Sequence, residues 1–441
     1  MCDNNKSVII IGGGLVGALC ACFLAKRGYH IEVYEVREDL RKCKLQRGRS
    51  INLALSHRGR RALRTVGLEE EVLKHAIPMK GRLLHNLPHE LSSVPYDEQT
   101  NQCIYSVSRN LLNEVLLTAA EEYDNVTLTF SCKLVDANLK EGSCVIQNLK
   151  TNETIKAKAD LIIGADGAYS KLRSQMQKLP LFQYSQTYIE HGYLELSISS
   201  KNGHMMIPNH LHIWPRGEFM MIALPNKDGS WTVTLFMALT RFKMLTGREE
   251  LLKFFESTFP DAIELIGEED LVEQFFSSPP SHLISIKCYP YHFENRALII
   301  GDAAHAMVPF YGQGMNCGFQ DCTLLDQLIS QFDGNFDYVL QEFSERRKDD
   351  AFAICDLAMY NYKEMRDLVT KPSFRLRKAL DNVLYSLFPK YWIPLYNSVS
   401  FSEIRYTECL KNREMQNWMI TLSLIFLMLM GLSIIVISSW K

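Results

Sequence analysis

No lysine and arginine block of this 441-residue chain stands out as a phosphate-tracking surface: its 48 basic residues are offset by 50 acidic ones, a formal net charge of −2, and the basic stretch from Arg47 to Arg64, with Arg58, Arg60 and Arg61, is read mostly as a solvated helix face. A phosphate-tracking surface needs a local excess of positive charge, so nucleic acid is set aside as a partner. Internal repeats and low-complexity tracts are also lacking, which excludes solenoids and disordered chains. The twelve cysteines are scattered. Only Cys20 with Cys22 and Cys317 with Cys322 lie close together, and neither pair has zinc-ribbon spacing, so no metal site is expected. No secretory leader precedes the apolar run that begins at Val8, and the thiols are read as reduced and mostly buried.

What is present is bulk: 47% hydrophobic and 22% charged residues, enough for a large domain with a second one embedded in it. Residues 419–437 are uncharged and strongly apolar, with Trp418 and Trp440 at the ends, Lys411 and Arg413 before them and Lys441 after. As a helix at about 1.5 Å per residue the run would extend about 28 Å, close to a bilayer's hydrocarbon thickness. Aromatic ends suit the lipid–water interface. The run is apolar on all sides and little sequence follows it, so a tail anchor at 418–437 is expected in preference to a buried C-terminal helix. The main body would then face the cytosol.

The most informative stretch is 301–316, Gly-Asp-Ala-Ala-His-Ala-Met-Val-Pro-Phe-Tyr-Gly-Gln-Gly-Met-Asn. It follows an apolar run at 297–300 and precedes a helical pattern, so it occupies a strand-to-helix turn, where backbone N–H groups are offered to anions. Gly301, Gly312 and Gly314 permit close approach to a flat or phosphorylated ligand, and Pro309 with Phe310 makes a stiff apolar wall.

At the other end, a strand at Ser7–Ile11 leads into Gly12, Gly14 and Gly17 at the three places of a dinucleotide fingerprint. A helical pattern to about Arg27 and a second strand ending at acidic Glu35 complete it. Gly12 allows the tight turn, Gly14 admits a pyrophosphate, and Gly17 lets helix and strand pack closely. Arg109 opens a predicted helix, where the dipole disfavours a cation, so it is expected to have an anionic partner such as cofactor phosphates. Short strands follow between 126 and 157. Residues 160–170 read as a buried strand, a turn at Asp166-Gly167 and a helix capped by Ser170. Between 181 and 290 the pattern turns β-rich, with strands expected at 192–197, 211–214, 219–224, 231–239 and 284–288 and one helix at 248–258. Long helices are expected from 313 to 329 and from 338 to about 369.

Taken together, the glycine fingerprint, Asp166-Gly167 and Gly301-Asp302 resemble the single-component FAD-dependent aromatic hydroxylases of the para-hydroxybenzoate hydroxylase fold. The runs 49–56 (Arg-Ser-Ile-Asn-Leu-Ala-Leu-Ser), 211–216 (Leu-His-Ile-Trp-Pro-Arg), 219–226 and 359–362 (Met-Tyr-Asn-Tyr) are similar to the kynurenine-hydroxylating branch of that family over nearly the whole chain. The resemblance implies an α/β fold: a Rossmann-like FAD-binding domain (1–180, returning at 291–330) interleaved with a mostly antiparallel substrate domain (181–290). A C-terminal helical region (331–412) and the membrane helix would follow. It also implies FAD as cofactor, with NADPH and dioxygen as co-substrates. The membrane would be the mitochondrial outer membrane.

By the same resemblance, Asp302 would bond the ribityl chain, Gly314, Met315 and Asn316 would meet the flavin ring, and Asp166-Gly167 would serve both FAD and NADPH. Glu35, Arg37, Arg109 and Leu134 match cofactor contacts. Arg82 and Tyr96 would grip the substrate's carboxylate, Asn361 and Tyr396 would contribute from the C-terminal helices, and Phe310 with Gln313 would face the substrate. Gln313 would sense the substrate's carbonyl. The reaction would run through a flavin hydroperoxide, which must be kept dry. The ring amino group of kynurenine already activates the neighbouring carbon, so no catalytic acid or base is expected, and His305 is read as structural. Two alternatives are a hydroxylase of the same fold acting on another aromatic or polyprenyl substrate, and a membrane-tethered scaffold without turnover. Cys317 and Gln320 depart from the pattern, standing where Ala and Glu are expected.

Overall fold

A computed structural model of the chain describes residues 6–42, 52–87, 90–97 and 100–439. Arg47, Arg49, Ser50, Ile51, Trp440 and Lys441, discussed above, lie outside these.

Strand Ser7–Ile11 is apolar at every position after Ser7 because both of its faces are covered, as in a parallel sheet between helical layers. It sits inside a six-stranded sheet whose order is His292–Phe293, Ala297–Ile299, Leu161–Gly164, Ser7–Ile11, His30–Tyr34, Val126–Thr129. Every pair is parallel except the first. Helix Leu15–Lys26 is apolar almost all round. It has no solvent face to need polar residues, because it packs against helices Arg109–Glu121 and Gly314–Gln331.

The second sheet has seven strands, in the order Ser281–Tyr289, Gln183–Ile198, Trp231–Ala238, Met220–Pro225, His210–Pro215, Gly81–Asn86, Glu90–Pro95. It is antiparallel except where His210–Pro215 runs parallel to Gly81–Asn86. Two of its strands therefore come from the first hundred residues. The strand expected to begin at 192 begins at Gln183; its first half pairs with Ser281–Tyr289 alone, and its second half mainly with Trp231–Ala238. One face of this sheet is covered by helices Arg248–Thr258, Pro260–Ile266 and Glu268–Phe276 around Phe255 and Phe259. The last two of these were not anticipated. The residues at 132–158 form a separate three-stranded antiparallel sheet.

The C-terminal part is helical: Phe336–Arg366, Pro372–Leu387, Leu395–Phe401 and Tyr406–Ser439. The apolar run is not an element by itself. It is the outer part of one 34-residue helix that starts at Tyr406, whose Tyr406 ring is fully buried in the body. The stretch Tyr406–Ser433 is long and apolar enough to cross a membrane, and its apolar window is 6% buried. All ten described cysteines are free, and only Cys103 is not buried.

Candidate active site

A cavity of about 580 Å³ lies between the two sheets and is walled at one end by the C-terminal helices. Its lining runs from the glycine fingerprint to Arg82.

At the fingerprint end, Gly12 has φ 102° and a Cβ there would stand 2.5 Å from Ala165 O. A Cβ on Gly17 would fall 1.9 Å from Gly12 O, so Gly17 serves helix–strand packing and does not line the cavity. Gly14 is different: its nearest neighbour would be Arg37 Nη2 at 3.9 Å, and it opens on the cavity. The helix that starts there has no side-chain cap, which leaves its first N–H groups for an anion. Glu35 faces the cavity but is already engaged. Its Oε2 accepts from Gly13 N (2.7 Å) and its Oε1 from Arg37 N (3.0 Å) and Nε (2.9 Å), so it organises the turn as well as offering a remaining lone pair. Arg37, Leu134 and Arg109 line the same end.

Asp166, Gly167 and Asp302 line the middle. Asp166 Oδ2 accepts from Lys171 N (2.6 Å) and Leu172 N (3.2 Å), capping helix Lys171–Met176, while its Oδ1 is buried without a partner. Burial raises its carboxyl above the usual range, against the pull of those hydrogen bonds. Asp302 faces the cavity; enclosure by protein raises its carboxyl, and Arg109 and His305 pull it back down. The two turns are joined by a residue the sequence did not single out. Buried Arg173 donates from Nη1 to Ala303 O (2.7 Å) and from Nη2 to Ala168 O (2.6 Å).

The 301–316 turn is held from behind. Gly301, at φ 60°, donates its N–H to Asp321 Oδ2 (2.8 Å), which also receives His305 Nε2 (2.7 Å), and Asp321 Oδ1 receives Arg347 Nε (2.6 Å). His305 is 1% exposed and does not line the cavity. Burial alone would lower its pKa, but Asp321 and Cys317 outweigh burial and push it up to about 10. Asp321 is correspondingly lowered by His305 and Arg347 against the effect of burial. His305, Cys317 and Asp321 have ligand atoms within 4.8 Å of one another. The guanidinium of Arg347 already supplies the cation there, with Nη2 2.8 Å from Cys317 Sγ and Nη1 2.9 Å from Gln320 Oε1. Both departures from the family pattern thus fall on the partners of one buried arginine.

Gly314 and Met315 line the cavity, whereas Asn316 and Gln313 do not. Asn316 is buried against the neighbouring strand: Oδ1 accepts from Ser56 N (2.9 Å), and Nδ2 donates to Ala54 O (2.8 Å) and Gly312 O (2.7 Å). Gln313 points at the C-terminal helix, where its Oε1 accepts from the Tyr406 hydroxyl at 3.3 Å. The side chains of these two residues, both expected to contact a ligand, are turned inward by their place on the helix.

At the far end stand Arg82, Tyr96, Phe310, Asn361 and Tyr396, all lining the cavity. Arg82 Nη1 donates to Glu364 Oε1 (2.8 Å), Nη2 to Asn361 Oδ1 (3.4 Å), and its guanidinium lies 4.5 Å from the centre of the Tyr396 ring. Its Nε is buried without a partner. Burial alone would ease its proton off, but Tyr396, Glu364 and Tyr96 outweigh burial and hold it charged. Tyr96 stacks on Tyr396, and burial with that neighbour pushes its phenol up, so it stays protonated. Phe310 stacks on Tyr362 at 3.7 Å, and Asn361 Nδ2 ties the Phe310 carbonyl at 2.7 Å. Glu364 was missed by sequence reasoning; its position three residues after Asn361, on the same helix face, is the one signal that could have found it.

The residues fit FAD: an orphaned Asp166 oxygen, a glycine at which a Cβ would enter the cavity, and an uncapped helix start lie along one elongated chamber. A family model described as "FAD binding domain" matches residues 5–357. The chain is 58% identical to a kynurenine 3-monooxygenase of Anopheles gambiae, over 94% of this chain and 86% of that protein. It is 48% identical to that of Sus scrofa (96% and 90%) and 44% identical to that of Myxococcus xanthus (91% and 87%). Among solved structures, 2-methyl-3-hydroxypyridine-5-carboxylic acid oxygenase aligns with a TM-score of 0.65 at 18% identity, covering 84% of this chain and 95% of that one, a likeness of fold.

Proposed function

Because the chain belongs to the kynurenine 3-monooxygenase family, we propose an assignment of its side chains to that family's reaction, the FAD- and NADPH-dependent hydroxylation of kynurenine to 3-hydroxykynurenine. When bound, FAD supplies the chemistry that no side chain can, carrying electrons from NADPH to dioxygen and one oxygen atom to the ring. The chain's own residues bind, orient and keep the chamber dry.

Gly12, Gly14 and the start of helix Leu15–Lys26 would hold the pyrophosphate, with Arg109 as counter-charge. Glu35, Arg37 and Leu134 would hold the adenosine end, and Asp302, Gly314 and Met315 the ribityl chain and ring. Asp166 and Gly167 would complete the cradle through the orphaned oxygen. Asn316 supports that cradle from behind by fixing the turn to strand Asn52–Leu55.

The observation that carries the substrate assignment is Arg82, a buried cation at the end of the chamber with Nε unpartnered. A carboxylate accepting from Arg82 and from the Tyr96 hydroxyl would be fixed in position and angle, and the ring would be fixed with it. Asn361 and Tyr396 close this end, and Phe310 forms the apolar wall. Gln313, which faces Tyr406, makes no direct contact in this assignment, and no side chain is assigned as catalytic acid or base.

Helix Tyr406–Ser439 would anchor the chain through its outer part, in the mitochondrial outer membrane with the body on the cytosolic side. Subcellular fractionation with protease protection tests that placement. For the reaction, purified chain given NADPH, dioxygen and kynurenine is expected to yield 3-hydroxykynurenine by mass and retention time. Yellow protein with no hydroxylated kynurenine would overturn the assignment.

A further inference from the structure

Helix Pro372–Leu387 presents the wrong face outward for a protein surface in water. At about 100° per residue, Leu376, Leu380, Val383 and Leu387 fall within roughly 60° of arc. All four are exposed, Leu376 by 74% and Leu387 by 64%. Arg377, Lys378 and Asp381 turn toward the body. Asp381 is the helix's one buried residue and accepts from Arg377 Nε (3.0 Å), Trp392 Nε1 (3.0 Å) and Arg413 Nη1 (2.9 Å). Lys378 donates to Pro95 O at 3.2 Å. A surface helix normally buries its apolar stripe, and a contiguous exposed stripe marks a contact made by something else.

The position of the stripe says what that is. Arg377 Nη1 donates to Asn417 Oδ1 at 2.9 Å, and Gln416 Nε2 to Ile393 O at 2.9 Å. Exposed Met415 lies just before Gln416 and exposed Trp418 just after Asn417, and the exposed apolar surface of the C-terminal helix continues through Met419 and Leu422. The two apolar surfaces therefore meet at one level of the molecule. Exposed Phe388 and Tyr391 extend the stripe, and exposed Arg375 and Lys390 flank it. A helix of 16 residues bearing Arg377, Lys378 and Asp381 is no membrane span. The next helix, Leu395–Phe401, is buried in the body from Asn397 onward.

We propose that helix Pro372–Leu387 is a lipid-interface helix, lying on the bilayer with Leu376, Leu380, Val383 and Leu387 among the upper acyl chains and Arg375 and Lys390 near the phosphates. This rests on the reading that the outer part of helix Tyr406–Ser439 inserts in a membrane.

The test uses the full chain in phosphatidylcholine vesicles containing brominated lipid. A thiol-reactive fluorophore is placed singly by Leu376→Cys, Val383→Cys and Leu387→Cys, by Asn382→Cys on the other face, by Leu181→Cys far along the chain, and by Leu427→Cys in the outer helix. Signal from the unsubstituted chain is subtracted. Quenching at the three stripe positions is expected to be at least twofold that at 181 and 382, with 427 quenched most. Quenching at 427 without quenching of the stripe overturns the inference and leaves the anchor standing. No quenching at 427 removes the anchor and the inference together. A stripe shielded from aqueous iodide yet untouched by brominated lipid would mean that a second copy covers it, which also overturns the proposal.

Discussion

Arg82 and Glu364 form an ion pair, Nη1 to Oε1 at 2.8 Å, with side chains only 6% and 14% exposed. A buried cation is tolerated where it is paired, and this one keeps further donors for a second anion. Arg82→Ala removes those donors and leaves Glu364 without its counter-charge. Steady-state kinetics at saturating NADPH should show kcat/KM for kynurenine falling about tenfold to a hundredfold, mostly through KM, the worth of roughly 1.5–3 kcal/mol for a charge-assisted bond. Flavin content should be unchanged, since Arg82 stands at the end of the chamber away from the fingerprint. Arg82→Lys restores charge without the fork and should recover only part of the loss.

Gly14 and Gly17 should fail differently. In Gly17→Ala the new methyl meets Gly12 O at 1.9 Å, so the strand–helix packing must open. Loss of soluble protein or a large drop in Tm is expected. Gly14→Ala has room in the protein and enters the cavity instead. It should fold with near-normal Tm as apoprotein and bind FAD at least tenfold more weakly, read by flavin fluorescence titration.

Alkaline conditions should loosen the turn at 301–316. His305 has a folded-state pKa of about 10, above its unfolded value of about 6.5. A group raised on folding gives stability that is present in full below about pH 6.5 and is lost as the pH rises toward 10. Thermal melts between those limits should show Tm falling with pH. In His305→Gln, Tm should start lower and fall less steeply over the same window; an unchanged slope would show that Asp321 is not paired with a charged imidazole.

Phe310 is held by the Tyr362 ring at 3.7 Å and by Asn361. Tyr362→Ala leaves Phe310 in place chemically but removes the ring that fixes its angle. Product formed per NADPH consumed should fall by about half or more, with kynurenine KM changed less than threefold, because water exclusion suffers before substrate contact does. Parallel assays of NADPH oxidation and product decide it.

Much of this was legible in the chain because glycine spacing, apolar runs and Asp-Gly or Gly-Asp turns are local signals, each tied to a backbone demand. The fingerprint, the two turns and the strands at 7–11 and 161–164 are of this kind. Side-chain direction near a helix start is not. Gln313, Gly314, Met315 and Asn316 are consecutive, yet only the middle two face the cavity, and that depends on how the helix is rotated against strand Asn52–Leu55. Asp321 and Arg347 gave no signal, since a lone acid on one helix and an arginine within the charged run 345–350 on another look like surface residues until packing joins them. The pairing of Gly81–Asn86 with His210–Pro215 joins segments more than a hundred residues apart, and no local pattern encodes it.

The C-terminal helix begins at Tyr406, whose ring lies under the guanidinium of Arg58 at 4.1 Å and near that of Arg347, and it continues without a break to Ser439. Such a connection has no swivel. Anything that gripped its outer half would also fix the azimuth and tilt of the whole catalytic body, more bayonet than leash.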